Sequence, residues 1–340
     1  MMSSLKSNNS MPLSISVIIP TYNRKKSLRR TLDSLSRQSY PVKDFEVIVV
    51  DDGGNDGTDA ITQQTYPYAL HYIRQENQGE IVARNTGADR STGKLLVFLD
   101  DDIEVNPDYL AMLAAAHKKH GQAVVLGTLV EILANAKGLT LHTIQETHHA
   151  RSSDAEAESV TFIDCMSGII SISRCEFFEI GAMQPLRSGE GRNIWGGIDI
   201  GYRAHQHRLG FWRAPNAIAL HHDSALASLG TRCQRNYRVS YAVQDLFAKY
   251  PALQGQIPMF RDKEPVAWRQ DPFPLIIQKL ARQSASSQVV MRGLEAATPV
   301  VERYAPTSKM LVRLYRWVIS GYIFRGYQEG LMQHRHEVKA

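Results

Sequence analysis

Lys94-Leu95-Leu96-Val97-Phe98-Leu99-Asp100-Asp101-Asp102 decides how the rest of the chain is read. The apolar run from Leu95 to Leu99 has no alternating polar position, which predicts a strand buried on both faces, as in a parallel sheet. The carboxylates then lie just past the carboxyl end of the strand, where open α/β sheets bind ligands. Adjacent negative charges repel one another and lose hydration in a crevice. A hard divalent cation such as Mg2+ or Mn2+ relieves that strain by taking carboxylate oxygens, with phosphate oxygens completing its coordination. A solvated acidic turn capping a helix that starts near Pro107 would use the same residues, so the neighbouring strands must decide.

On the N-terminal side, Ile15 to Ile19 is a first buried strand ending in Pro20-Thr21-Tyr22-Asn23. Leu28, Leu32 and Leu35 follow at helical spacing. Phe45 to Val50 is a second strand, running into Asp51-Asp52-Gly53-Gly54-Asn55-Asp56-Gly57, and Leu70 to Ile73 is a short third. Helices are expected from Glu80 to Ser91 and from Pro107 to His120, with a strand from Ala123 to Leu129. This alternation predicts an α/β chain with a doubly wound, mostly parallel sheet and right-handed crossovers. Acidic clusters then end two strands on the same rim. The first turn lacks G-x-G-x-x-G and no G-x-x-x-x-G-K-[ST] occurs, which argues against dinucleotide-binding and P-loop domains.

Lys137 to Ser159 is polar and reads as a loop, in which His148-His149 is a surface pair rather than a metal site. Phe162 to Ser173 is β-like, Arg174 to Ile180 and Asp199 to Leu209 are helical, and Ala217 to Leu220 is a short strand ending in His221-His222. The pattern is helical from there on. In the stretch from Lys309 to Met332, Leu311, Leu314, Tyr315, Val318, Tyr322 and Phe324 stand among Arg313, Arg316 and Arg325. Such a helix docks on its own domain or makes a peripheral membrane contact.

Composition sets the class. The chain has 340 residues, 43% hydrophobic and 21% charged, as in a folded soluble protein. Cys165, Cys175 and Cys233 have neither metal-ligand spacing nor even number, which fits a reducing cytosol and an expected cytoplasmic location. Met1 to Leu13 lacks the apolar core of a signal peptide and is expected to be a flexible tail. No uncharged apolar run approaches the roughly 20 residues that span a bilayer. A net charge of +5 suits phosphorylated substrates or an anionic membrane surface.

Val17-Ile18-Ile19-Pro20-Thr21-Tyr22-Asn23 resembles the opening of family 2 glycosyltransferases. Val49 to Thr58 resembles that family's second signature, and Asn77-Gln78-Gly79 with Ala83-Arg84-Asn85-Thr86-Gly87 resembles its third. Phe98-Leu99-Asp100-Asp101-Asp102 resembles its D-x-D motif. The resemblance implies a GT-A fold over residues 14–225, with a donor-binding half up to about 130 and an acceptor and catalytic half beyond it. A helical C-terminal extension, 226–340, follows. It also implies inverting transfer of a sugar from a UDP- or dTDP-linked donor to a hydroxyl of a glycan or lipid-linked acceptor in cell-envelope polysaccharide synthesis. Nucleic acid is not expected as a partner.

The resemblance places Pro20, Thr21, Tyr22, Asn23, Asp51 and Asp52 around the nucleotide, and Asp100 and Asp101 beside the sugar nucleotide. It makes Asp102 the direct ligand of Mn2+ or Mg2+. A metal there neutralises charge developing on the diphosphate leaving group. Arg84 can meet phosphate as a bidentate donor, or else pair with the acidic rim. His221 or His222 stands where the family often supplies a histidine to the metal or diphosphate, and Trp195 is either a wall under a sugar or a core residue. Asp164, Ser167 and Gly168 fall where acceptor contacts are expected.

Direct inversion needs a carboxylate that deprotonates the attacking hydroxyl. In the family this is the Asp of a Glu-Asp pair at a helix start, in a context such as W-G-G-E-D. Here the string is Trp195-Gly196-Gly197-Ile198-Asp199-Ile200-Gly201, with Ile198 in place of the Glu. One register makes Asp199 the base and needs no insertion before Gly210-Phe211. The other shifts Asp199 two residues on, leaving Glu190 in reserve or a weakened enzyme. Asp199 would also serve as a simple helix cap. A processive synthase needs Q-x-x-R-W, which Gln234-Arg235-Asn236-Tyr237-Arg238 does not supply, and a nucleotidyltransferase would have no use for Asp199. The missing Glu motivates a further alternative, a non-catalytic nucleotide-sugar-binding protein.

Overall fold

The computed structural model describes residues 13–132, 156–186, 194–222, 228–306 and 308–337. His148, His149 and Glu190 lie outside them. In chain order, β1 (Ile15–Thr21), α1 (Lys25–Leu35), β2 (Phe45–Asp51), α2 (Asp59–Thr62), β3 (Ala69–Arg74), α3 (Glu80–Arg90) and β4 (Leu95–Phe98) alternate as the sequence predicts. The chain goes on through β5 (Ile103–Val105), α4 (Tyr109–His120), β6 (Ala123–Glu131), β7 (Glu158–Ser159), β8 (Ile170–Ser173), α5 (Arg174–Glu179), α6 (Gly196–Gln206) and β9 (Gly210–His221). Four longer helices follow: α7 (Leu229–Lys249), α8 (Phe273–Ala285), α9 (Gln288–Tyr304) and α10 (Lys309–Glu337).

β1, β2 and β4 are buried at every position, because each is a β-branched and aliphatic run covered on both faces. β1 pairs in parallel with β2 and β4, and β3 extends this set beyond β2. The sheet has nine strands, with the path β3-β2-β1-β4-β8-β6-β9-β5 and β7 on β9. β8 runs antiparallel between β4 and β6, and β7 runs antiparallel to β9. The sheet is therefore mixed, where a mostly parallel one was expected. Antiparallel neighbours need no helical crossover, so the β-α alternation that reveals the parallel half is missing from the other half. The strand expected from Ala217 to Leu220 is twelve residues long, and β5 was not foreseen, since three residues after a turn carry no period.

Two helix contacts fix the rim of the parallel half. On α1, Leu28, Leu32 and Leu35 are buried, and the Thr31 hydroxyl donates to the Asp101 carbonyl at 3.0 Å. On α3, Gly87 faces Ile18 so closely that a Cβ would sit 2.5 Å from Ile18 Cγ2, so glycine sets the approach of helix to strand.

The chain falls into two compact units. One comprises Met1–Thr128, Ala155–Met183 and Arg203–Ala219; the other comprises Leu129–Asp154, Gln184–Tyr202 and Leu220–Ala340. The division interleaves along the chain. In the second unit α10 packs along α7, where Gly326 and Gly330 bring its backbone against the carbonyls of Tyr237 and Tyr241. Leu311, Leu314, Tyr315 and Val318 of α10 are buried within that unit, so the apolar side of this helix faces protein. Met310 and Trp317 remain exposed. No helix among the described residues is long and apolar enough to cross a membrane.

One core residue gives the fold a pH signature. His117 of α4 is buried with Nε2 2.9 Å from Ser171 Oγ, and the Ser171 hydroxyl donates to the Val125 carbonyl at 3.0 Å. Because that hydroxyl proton is already used, Nε2 carries the imidazole proton and donates. Burial, the largest influence, pushes the imidazole from 6.5 down to about 4, against the raising effect of Ser171 and with a smaller push from His120. The unfolded chain thus binds a proton that the folded chain refuses, and stability falls as pH drops from about 6.5 toward 4. The expected loss is about 3 kcal/mol when complete. Urea unfolding at pH 7 and pH 4.5 should show most of it in the native protein and little in His117→Gln. Equal losses in both would refute the assignment.

Candidate active site

The parallel strands β1, β2 and β4 end together in the first unit, so residues distant in sequence meet on one rim. β2 supplies Asp51 and Asp52. Asp51 Oδ1 accepts the Gly54 N–H at 2.7 Å and Oδ2 accepts the Tyr72 hydroxyl at 2.8 Å. Asp52 accepts from the Gln75 side chain and the Gln78 N–H on Oδ1, at 2.8 and 2.9 Å, and from the Gly79 N–H on Oδ2 at 2.8 Å. Asp52 thereby ties down the loop that feeds α3. Gly53, at φ 83°, turns the chain at this point. Asn23 lies in the left-handed region at φ 53°, and its Oδ1 accepts the Asn55 N–H at 2.8 Å, linking the ends of β1 and β2. Tyr22 is exposed and Pro20 is within buried β1.

The acidic triplet follows β4. Asp101 Oδ2 accepts the Thr21 hydroxyl at 2.7 Å. Arg24 Nη1 lies 2.6 Å from Asp102 Oδ2 and 3.3 Å from Asp101 Oδ1. Burial pushes the Asp101 carboxyl up to about 7; Arg24 and Thr21 oppose it, while Asp102 and Asp100 add to it. The third carboxylate, Asp100, meets Arg84 Nη2 at 2.5 Å. Arg84 is 1% exposed. Its Nη1 lies 3.3 Å from Glu80, yet Nη1 and Nε make no hydrogen bond among the described residues. The Asp100 N–H donates to the Gly168 carbonyl at 3.2 Å, and a Cβ on Gly168 would collide with the Asp100 carboxylate. Gly168 is therefore a spacer for Asp100, and Asp164 is held by Thr161 in a local capping box.

The donor set fits a hard divalent cation in kind: three adjacent carboxylates offering oxygen atoms only, partly neutralised by a half-exposed arginine. No group of three or more His, Cys, Asp and Glu side chains is arranged around a metal position among the described residues.

The other candidates belong to the second unit and are described there. His221 ends β9 with Nδ1 3.1 Å from the Glu131 carboxylate, which fixes its tautomer and ring orientation. Trp195 is buried, its indole N–H donating to the Val239 carbonyl at 2.9 Å and its ring 5.7 Å from that of Phe260. Asp199 lies in the first turn of α6 with its N–H on the Trp195 carbonyl. Its carboxylate is 0% exposed, and Oδ1 accepts Lys249 Nζ at 2.6 Å and the Tyr250 hydroxyl at 3.0 Å. Lys249 Nζ also donates to Gln184 Oε1 at 2.9 Å.

Sequence reasoning missed Arg24, Tyr72, Lys249 and Tyr250. Arg24 adjoins the first motif and could have been found there, since an acidic rim wants a nearby cation. Lys249 carries no such signal, because it meets Asp199 only through the packing of α7.

The rim stands on a mixed α/β sheet of the GT-A fold. Residues 16–174 match the family model "Glycosyl transferase family 2". The chain is 30% identical over 259 residues to validoxylamine A glucosyltransferase of Streptomyces hygroscopicus subsp. jinggangensis, covering 66% of this chain and 60% of that protein. It is 36% identical over 122 residues to glycosyltransferase AglE of Haloferax volcanii, covering 35% and 38%. The chain thus spans less than two thirds of these relatives' lengths. Among solved structures, the fold resembles mannosyltransferase PcManGT from Pyrobaculum calidifontis in complex with GDP-Man and Mn2+. That match has a TM-score of 0.58 at 17% identity and covers 94% and 88% of the two chains. S. aureus TarS 1-349 follows with a TM-score of 0.50 at 18% identity, covering 94% and 92%.

Proposed function

We propose that the protein is an inverting glycosyltransferase that moves a sugar from a UDP- or dTDP-linked donor to a hydroxyl of a glycan or lipid-linked acceptor. The observation that carries this reading is the rim itself. It holds three carboxylates beside a buried Arg84, whose Nη2 meets Asp100, whose Nη1 faces Glu80 and whose Nε has no hydrogen-bond partner among the described residues, next to the Asp51–Asp52 end of β2. Asp102 would hold Mn2+ or Mg2+, which would supply positive charge to the diphosphate leaving group. The Arg84 guanidinium binds phosphate oxygen as a charged donor. Asp51, Asp52 and Thr21, with Pro20, Tyr22 and Asn23, frame the nucleobase and ribose. His221 or His222 would serve the metal or diphosphate; Glu131 against Nδ1 orients the His221 ring. Asp199 takes the proton of the acceptor hydroxyl.

A cell-envelope acceptor at the inner face of a membrane suits the outward side of α10, where Met310 and Trp317 stand with exposed Arg313 and Arg316. A second reading, a nucleotide-sugar-binding protein without transferase activity, draws on Ile198 and on the buried pairing of Asp199.

Thermal unfolding with UDP, dTDP, UDP-GlcNAc, UDP-glucose and GDP-mannose, each with and without Mn2+, tests the donor site. A ligand at 100 times its Kd stabilises by about 2.7 kcal/mol. Stabilisation should appear with uridine or thymidine diphosphates and grow with Mn2+. No shift with any of them would overturn the donor assignment.

A further inference from the structure

We infer that Lys249 is the positioning residue for Asp199: its ammonium is the counter-ion that allows a fully buried carboxylate to work as a base. This rests on Asp199 being the base of the proposed transfer. In that step the acceptor O–H bond breaks as its oxygen bonds to the anomeric carbon. The bond from that carbon to the phosphate oxygen breaks, and its electron pair leaves on the diphosphate. The proton passes to the Asp199 carboxylate, while Lys249 keeps its own.

A carboxylate cut off from water and left without a counter-ion takes up a proton, and a protonated Asp199 could accept nothing from the hydroxyl. Asp199 is cut off from water. Lys249, at the end of α7, supplies the full positive charge at 2.6 Å, and Tyr250 donates to the same oxygen. Gln184 anchors the ammonium from the other side, and the Tyr202 ring packs on Tyr250 with centres 4.9 Å apart. On the helix of Asp199 itself, Arg203 donates to the Ile180 carbonyl. The clamp therefore fixes one carboxylate oxygen in place and balances its charge.

Infrared difference spectra at pH 7 read the inference without an acceptor. Lys249→Gln should show a carboxylic-acid carbonyl band that is absent from the native protein, absent from Lys249→Gln/Asp199→Asn, and lost again in Lys249→Arg. In parallel, UDP release from UDP-glucose with Mn2+ should have its acid limb moved up by about one pH unit or more in Lys249→Gln. Lys249→Arg should restore the native profile. A purely structural lysine would lower the rate without moving the limb. No new band in Lys249→Gln, with an unmoved limb, would overturn the inference. Should Lys249→Gln fail to fold, Lys249→Met provides the same uncharged test. UDP release that survives in Asp199→Asn would instead remove the base assignment, while the infrared comparison would still report on the ion pair.

Discussion

Arg84→Met is expected to weaken binding of UDP or dTDP in the presence of Mn2+ by roughly 10- to 100-fold while leaving thermal stability level or higher. The two halves of this expectation have one cause. Arg84 is 1% exposed, and its buried Nε has no hydrogen-bond acceptor among the described residues, while Nη1 faces Glu80 at a long 3.3 Å. Each unsatisfied buried donor costs about 1–3 kcal/mol, more on a charged group. Its partner Asp100 is 39% exposed, so removal of the guanidinium leaves a carboxylate that water can reach. A buried pair is worth least for stability when its partner can be resolvated, and an apolar replacement of similar volume is often neutral or stabilising. A charge-assisted hydrogen bond to phosphate contributes about 1.5–3 kcal/mol, which sets the loss in affinity. Calorimetric titration and a melting curve on the same sample check both halves. A variant that melts far below the native protein, and that Asp100→Asn does not rescue, would assign Arg84 to folding instead.

How far this could be read beforehand varies along the chain. The parallel half was legible because Ile15–Ile19, Phe45–Val50 and Leu95–Leu99 are continuous apolar runs that each stop at polar or acidic residues. The rim followed, since strands that run in parallel must end on the same side. The antiparallel half was not, because β8 and β5 are three or four residues long and owe their place to distant partners such as β6 and β9. Pairings across long separations also escaped. Arg24 against Asp102 spans 78 positions, and Lys249 against Asp199 spans 50, and neither spacing has a period to betray it. Gly168 was legible only as a position; its purpose appears when Asp100 is seen to fill the space its side chain would take.

Asp199→Asn is expected to reduce transfer or donor hydrolysis by about 10²–10⁴-fold, the usual contribution of a positioned general base. Binding of the nucleotide diphosphate should be unchanged, because the groups proposed to hold it are those of the β1, β2 and β4 rim. Asparagine keeps the shape of the side chain and an oxygen for Lys249 and Tyr250, but it cannot hold a proton taken from a hydroxyl. The lysine that loses its counter-ion is 28% exposed and can draw on water, so the variant should fold with a modest loss of stability. UDP release and UDP binding, measured side by side with Mn2+, then divide the two functional readings. An enzyme loses the first and keeps the second. If the native protein and Asp199→Asn are equally inert while UDP still binds, the chain is a nucleotide-sugar-binding protein, and Ile198 in place of the family's glutamate marks where catalysis was given up.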